Sequence, residues 1–214
     1  MRFNEEIAQR ISEYLLQVRA IKLSPKEPFT WASGIQSPIY CDNRITLSYP
    51  KVRNFIRHSF SQAINDVFGE VDVVVGVATG GIAQGALVAQ ELGLPFAYVR
   101  SSAKAHGLTN MIEGVVDSGQ SVVVIEDLVS TGGSSLNAVK ALRERGAIVK
   151  GMLAIFTYNL PVAEENFTRE KCKLVTLSDY NTLIQQATEK EYVAKEDVET
   201  LLKWKENPSE WKKV

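Results

Sequence analysis

Two adjacent carboxylates, Glu126 and Asp127, follow the apolar run Val122-Val123-Val124-Ile125 and precede Leu128, Val129, Ser130, Thr131, Gly132, Gly133, Ser134 and Ser135. Carboxylates at a strand end accept hydrogen bonds from vicinal sugar hydroxyls or sit beside a bound cation. Successive small residues opening a helix offer backbone N–H groups to a phosphate. A sugar that carries both a diol and a phosphate satisfies both halves. The plainer alternative is a strand-to-helix turn whose acids and serines only cap the helix. The run lacks the Gly-Lys-Ser/Thr ending of a nucleotide P-loop and the Gly-x-Gly-x-x-Gly of a dinucleotide site, so neither ATP nor NAD is the expected ligand.

A second stretch, Arg100-Ser101-Ser102-Ala103-Lys104-Ala105-His106-Gly107, places three cationic or protonatable groups close together after the apolar segment Phe96 to Val99. Such a loop can close over an anionic leaving group, with Gly107 letting the chain bend. On composition alone a basic run in a loop reads as solvated surface. His58 falls on the polar side of a helical stripe and reads as a surface histidine. Trp204 and Trp211 read as packing residues, whereas Trp31 suits either packing or base stacking.

These groups need a scaffold, and the apolar spacing predicts one. Ile7, Ile11, Leu15 and Val18 recur at helical intervals after the candidate cap Asn4, and Val52, Phe55, Ile56, Phe60, Ala63, Ile64 and Val67 make a second helical stripe. Between them, Phe29 to Arg44 is aromatic, small and turn-rich, which predicts a short extended hairpin or hood. Short Val-rich runs then alternate with helical patterns: Val71 to Val77, Ile82 to Leu92, Phe96 to Val99, Val122 to Ile125, Ser134 to Arg145 and Val149 to Phe156. Continuous apolar runs of this length suit strands covered on both faces, so the expected fold class is α/β, a mainly parallel sheet flanked by helices. Lys173 to Leu177 is a candidate added strand and Lys195 to Trp204 a candidate terminal helix before Asn207 and Pro208. The expected organisation is a single domain over 1–214 with hood elements at about 20–45.

Composition excludes several classes. The 214 residues carry 24 Lys plus Arg against 25 Asp plus Glu, a net charge of -1, so no global field holds a nucleic acid or an anionic membrane. Cys41 and Cys172 stand far apart without ligand spacing, which suggests neither a disulfide framework nor a zinc site. The first ten residues lack an apolar signal core and no apolar run is long enough to span a bilayer, so a cytoplasmic protein is expected.

The acidic run with its small-residue loop resembles the signature of the type I phosphoribosyltransferases, enzymes that take phosphoribosyl pyrophosphate (PRPP): apolar residues, two acids, two further residues, then a Ser/Thr/Gly loop. Arg-x-x-x-Lys-x-His-Gly from Arg100 is similar to the catalytic loop of the orotate-using members. Lys22, with Phe29, Thr30, Ser33, Gly34, Ser37, Pro38, Tyr40 and Asp42, resembles the family's N-terminal hood, and Gly76 to Gly81, with Thr79 and Gly80, its pyrophosphate loop. The likeness runs from about Lys22 to Gly151. It implies the type I phosphoribosyltransferase fold and transfer of the phosphoribosyl group from PRPP to orotate, giving orotidine 5′-monophosphate and pyrophosphate in UMP synthesis.

It further implies that Glu126 and Asp127 hold the ribose hydroxyls and stay anionic, that Ser130, Thr131, Gly132, Gly133 and Ser134 grip the 5′-phosphate, with Ser130 also touching orotate, and that Leu128 and Val129 belong to the same substrate-binding stretch. Arg100, Lys104 and His106 receive the pyrophosphate. Mg2+ binds mainly through PRPP, with no dedicated protein ligands, and a homodimer shares its sites when the loop of one subunit serves the other. Some branches of the family carry Lys at the place of Ser101 and Arg near Tyr158, reaching the orotate carboxylate; this chain has neither. The rival readings are a phosphoribosyltransferase for another base and a non-catalytic PRPP-sensing regulator. Met1 to Ile21 is too little for a helix-turn-helix.

Overall fold

A computed structural model describes residues 1–31, 34, 36–100, 111–208 and 211. Helix α1 spans Glu5–Gln17, and Asn4 caps it by accepting a hydrogen bond from the Ile7 N–H at 3.0 Å, with Glu5 and Glu6 in the positive first turn. Strand β1 (Ile21–Leu23) pairs antiparallel with β4 (Ile39–Cys41), and between them β2 (Phe29–Thr30) pairs with β3 (Gln36–Ser37). This is the expected hood. A 3₁₀ turn, Asn43–Ser48, leads into α2, Pro50–Val67, with Pro at the position where a missing N–H costs nothing.

The remaining elements build one twisted sheet. Strands β5 (Val73–Val77), β6 (Phe96–Val99), β7 (Ile112–Glu113), β8 (Ser121–Val129), β9 (Ile148–Thr157) and β10 (Leu174–Asp179) lie in the order β10-β9-β8-β5-β6-β7. All neighbours are parallel except β6 and β7. Helices α3 (Gly80–Leu92), α4 (Gly133–Glu144), α5 (Pro161–Arg169), α6 (Tyr180–Glu189) and α7 (Val198–Glu206) supply the crossovers and the terminal cover. Alternate strand residues feed two apolar clusters. Val74, Val123, Ile125, Leu153 and Val175 pack with α1, α2, α6 and α7, whereas Val73, Val75, Val122, Val124 and Met152 pack with α4 and α5. Burial on both faces is why these strands read as unbroken apolar runs.

Three differences from the sequence expectation have local causes. Strand β8 does not stop at Ile125: its ladder with β9 continues to Val129 opposite Thr157, so both acids sit on the strand rather than after it. Helices α5 and α6 were not legible as periodic segments, because they are only 9 and 10 residues long and begin at Pro161 and at the cap Asp179, whose carboxylate accepts from the Thr182 N–H at 3.0 Å. The terminal helix begins as a 3₁₀ turn at Lys195–Asp197 before α7.

Sheet order also locates the site. From β5 the chain goes outward to β6 and β7, then returns to place β8 on the other side of β5. The crevice between the carboxyl ends of β5 and β8 is therefore the topological switch point, where open α/β sheets bind ligands.

Candidate active site

The two acids in the carboxyl-terminal half of β8 are in different environments. Glu126 is 5% exposed, and its carboxylate accepts from Ser135 Oγ at 2.8 Å and from the Asp127 N–H at 3.0 Å. Burial first, and then the charge of Asp127, push the Glu126 carboxyl from 4.5 up to about 8. Near neutral pH this shift favours the protonated form of Glu126 in the ligand-free chain. Asp127 is half-buried and lines a cavity of about 340 Å³ with Asp42, Arg44, Thr79, Gly80, Glu126, Leu128 and Ser134.

The β5–α3 turn reaches this crevice because it is nearly bare backbone. The Ala78–Thr79 peptide is cis. A methyl group added at Gly80 would overlap the Asp127 carboxylate, one at Gly81 the Ile125 carbonyl, and one at Gly76 would lie 2.7 Å from the Gly81 oxygen. Only glycine lets this turn press onto the end of β8. On the other side, Asn43 Nδ2 donates to the Asp127 carbonyl at 2.7 Å, and its Oδ1 accepts from Cys41 Sγ at 3.3 Å. Burial and nearby Asp127 raise the Cys41 thiol well above its usual range, so it is no thiolate nucleophile. Arg44 is engaged with Asp42 by two hydrogen bonds, 2.7 and 2.9 Å, which hold the Asp42 carboxyl below its usual value.

After β8, Gly132 takes a left-handed conformation (φ 81°) and α4 begins at Gly133 with no side-chain cap. The first N–H groups of that helix are thus left to another acceptor. Asn166 of α5 donates to the Thr131 carbonyl at 2.9 Å and holds the loop in place. A second cavity, about 270 Å³, shares Cys41 and Leu128 with the first and is walled by Thr30, Trp31, Tyr40, Ser130 and Tyr158. Its walls are largely aromatic and suit a planar ring.

The structure thus brings Glu126, Asp127, Leu128, Ser134, Thr79 and Gly80 to one cavity, with Tyr40 and Ser130 beside it. Val129 is buried in the core below the loop. Lys22 lines neither cavity: it pairs across the hood with Tyr40 and faces a separate hollow with Leu16, Arg19 and Tyr192. Arg100 follows β6, its N–H bonded to the Met111 carbonyl at 2.8 Å and its guanidinium 3.4 Å from Glu113. Lys104, His106, Ser101 and Ser33 lie outside the described residues. His58 is exposed and bonded to Glu91 at 3.0 Å. Asn43, Ser135 and Trp204 were not singled out as site residues, since a lone polar or aromatic residue carries no spacing signal. A larger hollow, about 780 Å³, lies between α5, β10 and the first residues and is lined by neither Glu126 nor Asp127. Size therefore does not mark the chemistry here.

The phosphoribosyl transferase domain family matches residues 47–159, which include both acids, the Thr79–Gly80 turn and the α4 loop. An orotate phosphoribosyltransferase of Listeria monocytogenes is 56% identical over 97% of this chain and 99% of its own length. The chain belongs to the orotate phosphoribosyltransferase family. A Porphyromonas gingivalis orotate phosphoribosyltransferase is 53% identical over 96% of this chain and 98% of its own. The crystal structure of the Aeropyrum pernix orotate phosphoribosyltransferase superposes with a TM-score of 0.72 at 26% identity, covering 86% of this chain and 99% of that one. The type I phosphoribosyltransferase fold expected from sequence is the fold of this pentosyltransferase. Among the described residues no helix is long and apolar enough to cross a membrane, and no group of three His, Cys, Asp or Glu is placed to hold a metal.

Proposed function

We infer that the chain transfers the 5-phosphoribosyl group from PRPP to orotate, giving orotidine 5′-monophosphate and pyrophosphate on the way to UMP. The observation that carries this reading is the junction of two cavities at Cys41 and Leu128: one lined by carboxylates and glycine backbone, the other by aromatic rings. A ribose-phosphate fits the first and a planar base the second, so the bond to be made spans their junction.

Departure of pyrophosphate leaves positive charge on the ribosyl carbon, and no covalent nucleophile is needed. Asp127 and Glu126 take the ribose hydroxyls. With Glu126 protonated in the free chain, Asp127 supplies the fixed negative charge under the developing cation. Ser130, Thr131, Gly132, Gly133 and Ser134 grip the 5′-phosphate, helped by the uncapped start of α4. Thr79 and Gly80 approach the pyrophosphate, and Arg100, Lys104 and His106 receive it, His106 donating a proton.

The cavity suits magnesium: the hard carboxylate oxygens of Asp127 would meet a cation that brings most of its coordination as substrate oxygen and water. Its charge would neutralise the diphosphate. We place the reaction in the cytoplasm, in a single catalytic domain that carries the hood and acts as a homodimer with shared sites.

The test mixes purified chain, PRPP and magnesium and follows loss of orotate absorbance, with uracil, adenine, guanine and xanthine as controls. Turnover of another base in place of orotate, or none, overturns the assignment.

A further inference from the structure

Trp204, on α7, is fully buried, and its ring meets Trp31 at a centroid distance of 5.7 Å, Tyr158 at 5.6 Å and Tyr180 at 5.4 Å. Trp31 and Tyr158 lie 5.4 Å from each other, and both wall the aromatic cavity, which Trp204 itself does not line. Tyr180 anchors the far side of the group, its hydroxyl donating to the Leu201 carbonyl on α7 at 2.9 Å. The Trp31 indole N–H donates to the Ile39 carbonyl at 3.1 Å, whereas the buried Trp204 indole N–H has no hydrogen-bond partner among the described residues. An unpaired buried donor is a cost. Trp204 therefore contributes through the area of its ring and not through its N–H.

Trp31 follows β2 in the hood, and β2 pairs with β3 over only two residues on each side. A hairpin that short is marginal by itself and needs packing from outside to hold its shape. The C-terminal segment reaches this part of the hood in two ways. Lys26 Nζ lies 3.4 Å from Glu196 and 3.7 Å from Asp197, but Lys26 and Glu196 are exposed, and a surface ion pair of this kind holds little. The edge-to-face contact of Trp31 on Trp204, with the rings at 79°, lies against the core and is the stronger tie. We propose that Trp204 is a positioning residue for the base: through this ring, α7 holds Trp31 of the hood against Tyr158 and so sets the width of the cavity that receives a planar ring. The cavity of Asp127, Thr79 and Gly80 is lined by neither Trp31 nor Tyr158, so the brace acts on the base and not on PRPP. The proposal rests on the reading that orotate occupies the aromatic cavity.

The experiment compares Trp204→Phe and Trp204→Leu with Phe60→Leu, a change at a fully buried ring on α2 that lines neither cavity. Steady-state assays vary each substrate in turn, well below every thermal midpoint. The KM for orotate rises about threefold in Trp204→Phe and about tenfold in Trp204→Leu, while kcat and the KM for PRPP stay within about twofold. Phe60→Leu lowers the thermal midpoint as a core truncation does, yet leaves the orotate KM within about twofold. An unchanged orotate KM in both Trp204 variants, an equal rise in the KM for PRPP, or an equal rise in Phe60→Leu overturns the proposal. If Trp204→Leu does not fold, Trp204→Phe decides by the same two constants. An unsubstituted chain that does not turn over orotate overturns the orotate reading and this proposal with it. Normal turnover by that chain, with the orotate KM unchanged in the variants, overturns the brace alone.

Discussion

Asn43 donates from Nδ2 to the main-chain carbonyl of Asp127 at 2.7 Å, across 84 residues of sequence. The bond ties the hood to the end of β8 and sets the height of the Asp127 carboxylate above the cavity. Asn43 is 1% exposed, and its other amide atom is occupied by Cys41. Asn43→Asp keeps the shape but faces an acceptor with an acceptor. The expected result is a kcat lower by about tenfold and a thermal midpoint lower by about 2–4 °C for each kcal/mol lost in a chain of this size. A midpoint that falls with kcat unchanged assigns the bond to stability alone.

The phosphate loop offers a cleaner comparison than its most constrained glycine. Gly132→Val would place a branched side chain at φ 81° and within 2.6 Å of the Phe167 ring, so stability falls whatever the loop binds. At Gly133 an added Cβ meets nothing nearer than Thr131 Oγ1 at 4.0 Å. Gly133→Ala is expected to hold or raise the thermal midpoint, since alanine is about 0.5–1 kcal/mol better than glycine in a helix. The same methyl stands before the N–H groups offered to phosphate and should raise the KM for PRPP about tenfold. An unchanged KM reduces the loop to a helix cap.

Stability should carry the signature of Glu126. Its native pKa of about 8 exceeds the ordinary 4.5, so the native state holds this proton more tightly than the unfolded chain. Its contribution is complete below 4.5, declines as pH rises, and is lost once pH passes about 8. Glu126→Gln removes the titration. The variant's midpoint relative to the parent's should climb between about pH 5 and pH 8 and then level. Parallel curves would show that Glu126 is ionised in the native chain.

Sharing of sites between subunits is testable by mixing inactive parents. Asp127→Asn is expected to lower turnover by about 10²-fold, because a carboxylate beneath a developing cation acts mainly in the transition state. Lys104→Ala removes a pyrophosphate contact from the other loop. If that loop serves the neighbouring site, a heterodimer has one site with both lesions and one with none. Random reassociation of equal amounts makes about half the dimers hybrid, so roughly a quarter of the parental activity returns. No recovery, with hybrids confirmed by mass, would confine the loop to its own chain.

Sequence alone determined the class of the protein and the position of its acids, for a physical reason. The run Val122 to Ile125 has to be buried on both faces, so the carboxylates after it fall in the carboxyl-terminal half of the strand, shortly before small residues open the next helix; that β8 runs on through them to Val129 was not legible. Helical periodicity likewise located α1, α2 and α4, since an apolar stripe is a one-dimensional signal. What the two acids do to each other was not legible. The upward shift of the Glu126 carboxyl follows from its burial and from Asp127 beside it, against the opposing hydrogen bond from Ser135, and burial is set by the packing of α4 on β8. The bond from Asn43, the overlap that keeps residue 80 a glycine and the brace of Trp204 on Tyr158 join residues 84, 47 and 46 positions apart. No spacing rule reaches across such distances. Only the tertiary fold, by bringing the hood, the β5–α3 turn and α7 to one end of the sheet, decided which side chains line the site.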